Sequence, residues 1–458
     1  MPEIILPNAE QIRHIYNALN DDKIIMGAYW DKSSDPKMTR TDAAVCLEAR
    51  IGKDGELVRN DFDHMPIYRD MGEVVDDYGN VFIKIPKFYI QRVEGKDFKI
   101  VRISKHNYPG FYLPWCFWDF ENNRELDYVL IGKYKANLSD DGERLESKPG
   151  KHPLVSRNIV QFRNLARANN DEANGLKGYQ LFDIHAWDII NALFTVEFAT
   201  LDSQSVARGF TSGQSNDNHK AVVSETQTNR IIIASSHANE YRLGQSIGIG
   251  YNALDNSLSG GPRLITHIAP YDANNTAIYF DGEPVDILEG HIIANRGWIN
   301  GFSRNIASSS GYIVENDGKY PFSYRGIESP WGDIWQFVDG VNINDHQAWV
   351  AKNAEDYTSN VFAAPYEKLS YINHDANGYV REMGYDPNHP YAQFPVEVGG
   401  GPSTYYADYY YQNTGQRIAL VGGSWYYGSS AGLSAWYVYS SSSSSTVHIG
   451  GRLLKKPL

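Results

Sequence analysis

Residues 417–454 read RIALVGGSWYYGSSAGLSAWYVYSSSSSSTVHIGGRLL. Two apolar runs, RIALVGGSW and IGGRLL, enclose a stretch made almost wholly of Tyr, Trp, Ser, Gly and Ala. Between Arg417 and Arg452 there is no Asp, Glu, Lys or Arg, although these make up 21% of the chain. Tyr and Trp give large, stiff contact area with little rotamer entropy to lose, while Ser and Gly adapt their hydrogen bonding. That is the residue economy of binding loops. Catalysis needs groups that titrate near neutral pH, and this stretch supplies one, His448. A flexible linker is a competing reading of Ser440–Ser445, but only thirteen residues follow, including a strand-like apolar run. Buried β-structure is another, yet Tyr426–Tyr427 and Trp436–Tyr437 break the alternation of a half-buried strand. The stretch reads as a binding surface seated on strands.

Outside it, 458 residues suffice for two or three domains with a generous core. Aromatics at 13%, 40 glycines and 20 prolines imply many turns. Helix-period stretches are few, so the expected class is α+β, leaning to β. A net charge of −13 argues against nucleic acid or an anionic membrane as partner. Two cysteines, Cys46 and Cys116, build neither a disulfide framework nor a multi-cysteine zinc site. The opening MPEIILPNAEQIRHIYNALN has no signal-peptide pattern, and no run of eighteen apolar residues occurs. The expectation is a chain made in a cytoplasm, without membrane insertion, that reaches the exterior through assembly into a particle.

Four segments are expected. Residues 1–66 read as an adaptor or attachment segment, with a short helix over 8–20 capped by Asn8 and then polar, turn-rich sequence. Residues 67–210 begin the main domain. NVFIKIPKFYIQRVEGKDFKIVRIS alternates around the turn Glu94-Gly95-Lys96 and predicts a hairpin. Asp183 caps a helix with Trp187, Ile190, Phe194 and Phe198 on one face. Asp183, His185 and Asp188 read as cap and surface groups, and Glu197 as a structural carboxylate. Residues 211–316 carry short strands (RIIIAS, QSIGIG, RLITHIA, AIYFDG, HIIANRGW) and read as a small β domain inserted on a loop of its parent. The glycines of QSIGIG lack the lysine and following helix of a phosphate loop. Residues 317–458 resume the main domain.

Gly332-Asp333-Ile334-Trp335-Gln336-Phe337, followed by Asp339, resembles the G-N-V-W-E-W motif of the formylglycine-generating-enzyme-like branch of the C-type lectin fold. Arg417–Trp425, with Gly422, Gly423, Ser424 and Trp425, is similar to that branch's R-V-L-R-G-G-S-W, and Gly450-Gly451-Arg452 to its terminal G-F-R strand. A 24-residue Tyr/Ser-rich insert, residues 426–449, separates the last two. This arrangement resembles the variable proteins of diversity-generating retroelements, above all phage tail proteins on this fold. The resemblance covers roughly 80–210 and 317–458, not the first 65 residues. It implies adenine-directed mutagenesis across 424–450, where Asn codons become Tyr, Ser or His. The diversified ligand-binding positions it implies are Tyr426, Tyr427, Ser430, Ser434, Tyr437, Tyr439, Ser440 and His448. Trp436 is added as a contact residue that such a codon cannot supply. Gly428, Ala431, Gly432, Gly450 and Gly451 would be the frame. Tyr405, Tyr406 and Tyr409–Tyr411 read equally as border or as core.

That branch's oxidase chemistry uses cysteines in the C-terminal part of the fold, and none lies there. No HExxH, GxSxG or paired-carboxylate pattern nominates a catalytic site. Asp339, Asn342, Asn344 and Asp345 offer oxygens at short spacing without the EF-hand pattern. A structural calcium ion and an Asx-rich turn are the two readings there, and no other cofactor is implied. The expected function is host recognition by a phage tail fibre or tail-tip protein in the virion. It would bind a protein or glycan receptor on a bacterial surface, with tail proteins as partners of the N-terminal segment, in a homo-oligomer such as a trimer. The alternatives are a carbohydrate-active or lytic tail enzyme, and a structural component that uses the Tyr/Ser surface for assembly.

Overall fold

The computed structural model describes residues 23–458, and strand outweighs helix, 34% against 12%. The expected β-leaning α+β class therefore stands. The helix expected over 8–20 lies outside the described residues.

The first half builds two sheets and the central helix. β1 (Ile25–Trp30), β2 (Thr39–Asp42), β3 (Gly72–Val75), β4 (Val81–Pro86), β5 (Tyr89–Glu94), β6 (Lys99–Ser104) and β7 (Tyr128–Gly132) come first. β5 and β6 form the expected hairpin and pair on through β1 to β2. β4 leaves that hairpin for a second sheet, pairing with β3 and β7. A break at Lys87 and Phe88, just after Pro86, separates two strands whose alternation looks continuous in sequence. The described part of the 1–66 segment is no separate body. β1 is paired along its length with β6, and Ile24, Met26, Trp30, Phe62 and Met65 join the main core.

α1 (Ile159–Arg167) was not foreseen, although Asn158 and Gln161 form a capping box at its start. After β8 (Tyr179–Leu181) comes α2 (Ile184–Phe198), capped by Asp183 through the Ala186 N–H. α2 is not the one-faced helix expected. Nearly all its residues are buried, because sheets and loops surround it. Asp188 is accordingly no surface group: it pairs with Arg92 and accepts from Tyr112 Oη at 2.7 Å. His185 is buried too, and burial lowers its pKa to about 3. Glu197 is held by Arg325, Tyr324 and Ser310, the structural role expected.

All five strands expected in the insert form one antiparallel sheet. They are β9 (Arg230–Ala234), β10 (Ser246–Gly250), β11 (Arg263–Pro270), β12 (Asn275–Phe280) and β13 (Ile292–Asn295), ordered β9-β12-β11-β10-β13. They enclose a core of their own, including Ile231, Ile247, Ile278 and Ile293. Gln214 and Asn295 clasp the two ends: the Asn295 N–H donates to the Gln214 carbonyl, and the Gln214 N–H to Asn295 Oδ1. The insert therefore closes near Asn295, not 316. Trp298 already packs with Phe210, Ile334 and Trp425 of the parent, and Gly52 bridges Tyr312.

The C-terminal third makes the largest sheet. Its strands are β14 (Trp335–Asn344), β15 (Gln347–Val350), β16 (Glu367–Lys368), β17 (Gly378–Met383), β18 (Pro395–Val398), β19 (Tyr409–Gln412), β20 (Gln416–Gly422) and β21 (Gly432–Val438). The order is β16-β15-β14-β20-β21-β19-β17-β18, with β19 and β21 parallel. β22 (Ile449–Gly450) then pairs parallel with the start of β14, and β23 (Leu453–Lys455) closes the chain between β7 and β8. One side of the large sheet covers α2, while Trp335, Phe337, Leu420 and Ala435 belong to a second core on the other side.

Candidate binding face

The three motifs noted in the sequence meet at one place. Gln336 opposes Val421 across β14 and β20, and Trp335 opposes Ile449 of β22. Arg452, fully buried, ties them together. Its Nε donates to Gln336 Oε1, and its terminal nitrogens donate to the carbonyls of Gly132, Lys133, Glu328 and Ser329 at 2.8–3.2 Å. Every guanidinium N–H thus has an acceptor. Burial brings the Arg452 pKa down to about 9, which leaves it charged at neutral pH. Burial also raises Asp333 to about 6; its carboxylate accepts the Trp298 N–H at 2.8 Å. Gly332 has φ +71°, and a Cβ there would lie 2.9 Å from the Phe210 carbonyl oxygen. Gly422 and Gly423 turn the chain off β20 with φ of +92° and +84°. A Cβ on Gly423 would sit 2.3 Å from the Ala431 Cβ.

That turn delivers Trp425, buried with Phe210 and Trp298, and then Tyr426 and Tyr427 on the outside. From here the rings run on without a break. Tyr427 lies 5.1 Å from Trp335, 4.8 Å from Tyr426 and 5.4 Å from Tyr411. Tyr411 meets Tyr409 at 4.5 Å and Tyr437 at 5.4 Å, and Tyr437 meets Tyr439 at 5.8 Å. Tyr379 extends the strip from Tyr409 at 5.1 Å, and His448 closes the other end, 5.4 Å from Tyr426. Most of these rings are half-buried against one another, and Tyr439 is 46% exposed. Aromatic pairs at such distances and inclinations are mutually stabilising, so the face is stiff before anything binds.

Serine hydroxyls rim it. Ser429 bonds Tyr379 Oη at 2.7 Å, and Ser430 is half-buried beside it. The serine run is an ordered turn rather than a linker. The Ser444 N–H donates to the Ser441 carbonyl, and Asn360 Nδ2 donates to Ser442 Oγ. The face is also electrically quiet. Burial pushes the Tyr426 and Tyr437 phenols up to about 12 and raises Tyr411 and Tyr427. Burial, with Arg296 beside it, lowers His448 to about 4, so the imidazole is neutral at pH 7.

Not every residue expected on this face is there. Tyr426, Tyr427, Ser430, Tyr437 and Tyr439 are. Trp436 points the other way, 4.5 Å from Phe394 in the main core, because successive residues of β21 alternate sides. Ser434 is buried, its N–H bonded to Asp408, and Ser440 is buried, its carbonyl accepting the Ile418 N–H. His448 forms the floor of one corner rather than a free contact. Tyr409 and Tyr411 border the face while Tyr406 and Tyr410 are core. Tyr379 was missed, since nothing in GYVREM marks it apart from its place on a strand beside β19. Arg296, whose guanidinium lies over the Trp425 ring, was missed as well.

The oxygen-rich stretch does not converge on a metal. Arg163 holds both oxygens of Asp339 at 2.7 and 2.8 Å. Asn342 Nδ2 donates to the carbonyls of Thr358 and Val361, and Asp345 lies exposed beyond the end of β14, accepting the Gly415 N–H. Asn344 stands in the β14 ladder opposite Gln347. Among the described residues no group of three or more His, Cys, Asp or Glu side chains is placed to hold a metal ion. Likewise, no helix among them is long and apolar enough to cross a membrane.

No protein-family model matches the chain, and no curated protein matches it.

Proposed function

We propose that this chain is a host-recognition protein of a phage tail, with a C-type-lectin-type domain of the formylglycine-generating-enzyme-like branch and a hypervariable binding face. The observation that carries the reading is the continuous, uncharged aromatic strip from Tyr379 to His448, rimmed by serines. A partly exposed aromatic surface of this kind is a feature of recognition sites. The meeting of the three lectin-branch motifs around Arg452 supports the fold assignment. The ligand is a bacterial surface receptor held without covalent chemistry. Repetition of the face in a homo-oligomer, such as a trimer, makes individually weak contacts effective, and the N-terminal segment joins the protein to its tail partners.

Deep sequencing of the gene's 3′ end in a natural population tests this. Substitutions should be confined to adenines, falling on codons for Tyr426, Tyr427, Ser430, Tyr437 and Tyr439, and sparing Trp436. A nearby near-identical repeat should accompany them. A uniform 3′ end without a repeat would remove the diversification claim and leave a fixed binding or assembly surface.

A further inference from the structure

The loop carrying Tyr426 and Tyr427 is held from behind by the two crossings into the inserted domain. On the entry side, the Gly213 N–H donates to the Trp425 carbonyl at 2.5 Å, and the Gly428 N–H donates to the Thr211 carbonyl at 2.8 Å. On the exit side, the Trp298 N–H donates to Asp333, whose carbonyl accepts the Trp425 N–H. Between them Arg296, 1% exposed, lays its guanidinium over the Trp425 ring at 5.8 Å. Its other bonds all go to the insert side. It donates to the carbonyls of Ala253, Asp255 and Asn295 and to Asn256 Oδ1, at 2.6–2.9 Å. No carboxylate lies in salt-bridge contact with it among the described residues.

Beside these backbone bonds, the junction that Arg296 spans holds six polar side-chain atoms left unsatisfied. Thr211 Oγ1, Gln214 Oε1, Asn295 Nδ2, Trp298 Nε1, Ser424 Oγ and Trp425 Nε1 are buried there without a hydrogen-bond partner. Such groups regain hydrogen bonds on opening, so the free energy of local opening is low unless something clamps the seam. A guanidinium within cation–π reach of an indole, in a desolvated setting, supplies such a clamp.

We propose that the inserted domain is the back wall of the binding loop and that Arg296 is its positioning residue, fixing Trp425 and through it the Tyr426–His448 corner. The claim deepens the proposed binding role and assigns the insert a part in the site rather than a separate activity. It rests on that reading only for the meaning of the corner, not for the clamp itself.

Amide hydrogen exchange on the full chain without ligand tests it, comparing wild type with Arg296→Met, Arg296→Lys and Ile278→Val. Ile278 lies in the insert's own core, away from the seam. Arg296→Met should speed exchange at least tenfold at 424–431 and 446–449, and leave β14 and β12 unchanged. Arg296→Lys keeps the charge but not the planar fork, and should fall between. Ile278→Val should loosen only the insert sheet. Unchanged loop exchange in Arg296→Met would overturn the proposal. So would uniform acceleration across the chain, or equal loosening of the loop by Ile278→Val. None of these outcomes bears on whether the face binds a receptor, which the population sequencing decides separately.

Discussion

His448 connects the binding face to its support, and its titration reports whether the corner is as closed as the geometry says. Burial, reinforced by Arg296, lowers its folded-state pKa to about 4, against about 6.5 for an unperturbed imidazole. Between these values the unfolded chain binds a proton that the folded chain does not. The contribution is therefore fully present above pH 6.5 and is lost as pH falls toward 4. At pH 4.5 the linkage amounts to about 2.5 kcal/mol. Buried His185 and His219, lowered to about 3 and about 4, act in the same direction. Asp183 and Asp333, raised by burial to about 6, act oppositely: their contribution is present at low pH and lost as pH rises through 6. These groups are common to wild type and His448→Gln, so the comparison removes them. Urea unfolding at pH 7 and pH 4.5 should show wild type losing about 2–3 kcal/mol more than His448→Gln. Equal losses, or an imidazole midpoint near 6.5 by NMR, would refute the closed corner.

Arg452→Met takes a donor from Gln336 Oε1 and from four backbone carbonyls, of which Gln336 Oε1 keeps Lys135 Nζ and the Lys133 carbonyl keeps the Glu328 N–H. Even with partial rehydration this costs on the order of 4 kcal/mol, with Arg452→Lys intermediate, as read by chemical denaturation. Gly423→Ala combines a left-handed backbone with a contact at 2.3 Å to Ala431 and should cost roughly 2–3 kcal/mol in thermal unfolding. Because Arg163 occupies both Asp339 oxygens, neither a chelator nor millimolar calcium should move the melting temperature; a rise with calcium would reopen that stretch as a metal site.

What the sequence showed, and what it did not, follows from the range of each signal. The insert's five strands were legible because each is a short apolar run between turn residues, and Asp183 because an N-cap acts within three residues. The insert's end was misplaced by about twenty residues, since Trp298 reads as one more aromatic in a strand-rich stretch. Only its packing on Phe210 and Trp425 assigns it to the parent. α2 looked amphipathic, but three-dimensional crowding buried its polar face. Asp188 is tolerated there by Arg92, ninety-six residues away in sequence. Within the face, composition gave the segment but not the side of each residue. Ser434 and Trp436 turned inward because the register of β21 against β20 and β19, and not residue type, decides which side of the sheet a residue occupies.

The anchoring of the Tyr/Ser segment would let a surface of this kind accept different side chains. Its fixed points are main-chain atoms. The carbonyls of Trp425, Ser440, Thr446 and His448 accept from Gly213, Ile418, Ser156 and Trp335, and the Gly428 N–H donates to Thr211. β21 adds backbone ladders to β20 and β19. None of these bonds depends on what stands at 426, 427, 437 or 439. Those side chains instead pack on one another and on the buried indoles of Trp335 and Trp425. A change there exchanges one half-buried surface contact for another, whereas truncating Trp436 would open a cavity against Phe394, at a cost of about 3–5 kcal/mol. The fold thus separates two sets of residues within a single seven-residue strand. Leu433, Trp436 and Val438 belong to the core and are constrained by volume. Tyr437, and Tyr439 just beyond the strand, belong to the face and are constrained by little more than the room above Trp335. Sequence freedom on that face and stability beneath it are compatible because the backbone, not the tyrosines, holds the segment down.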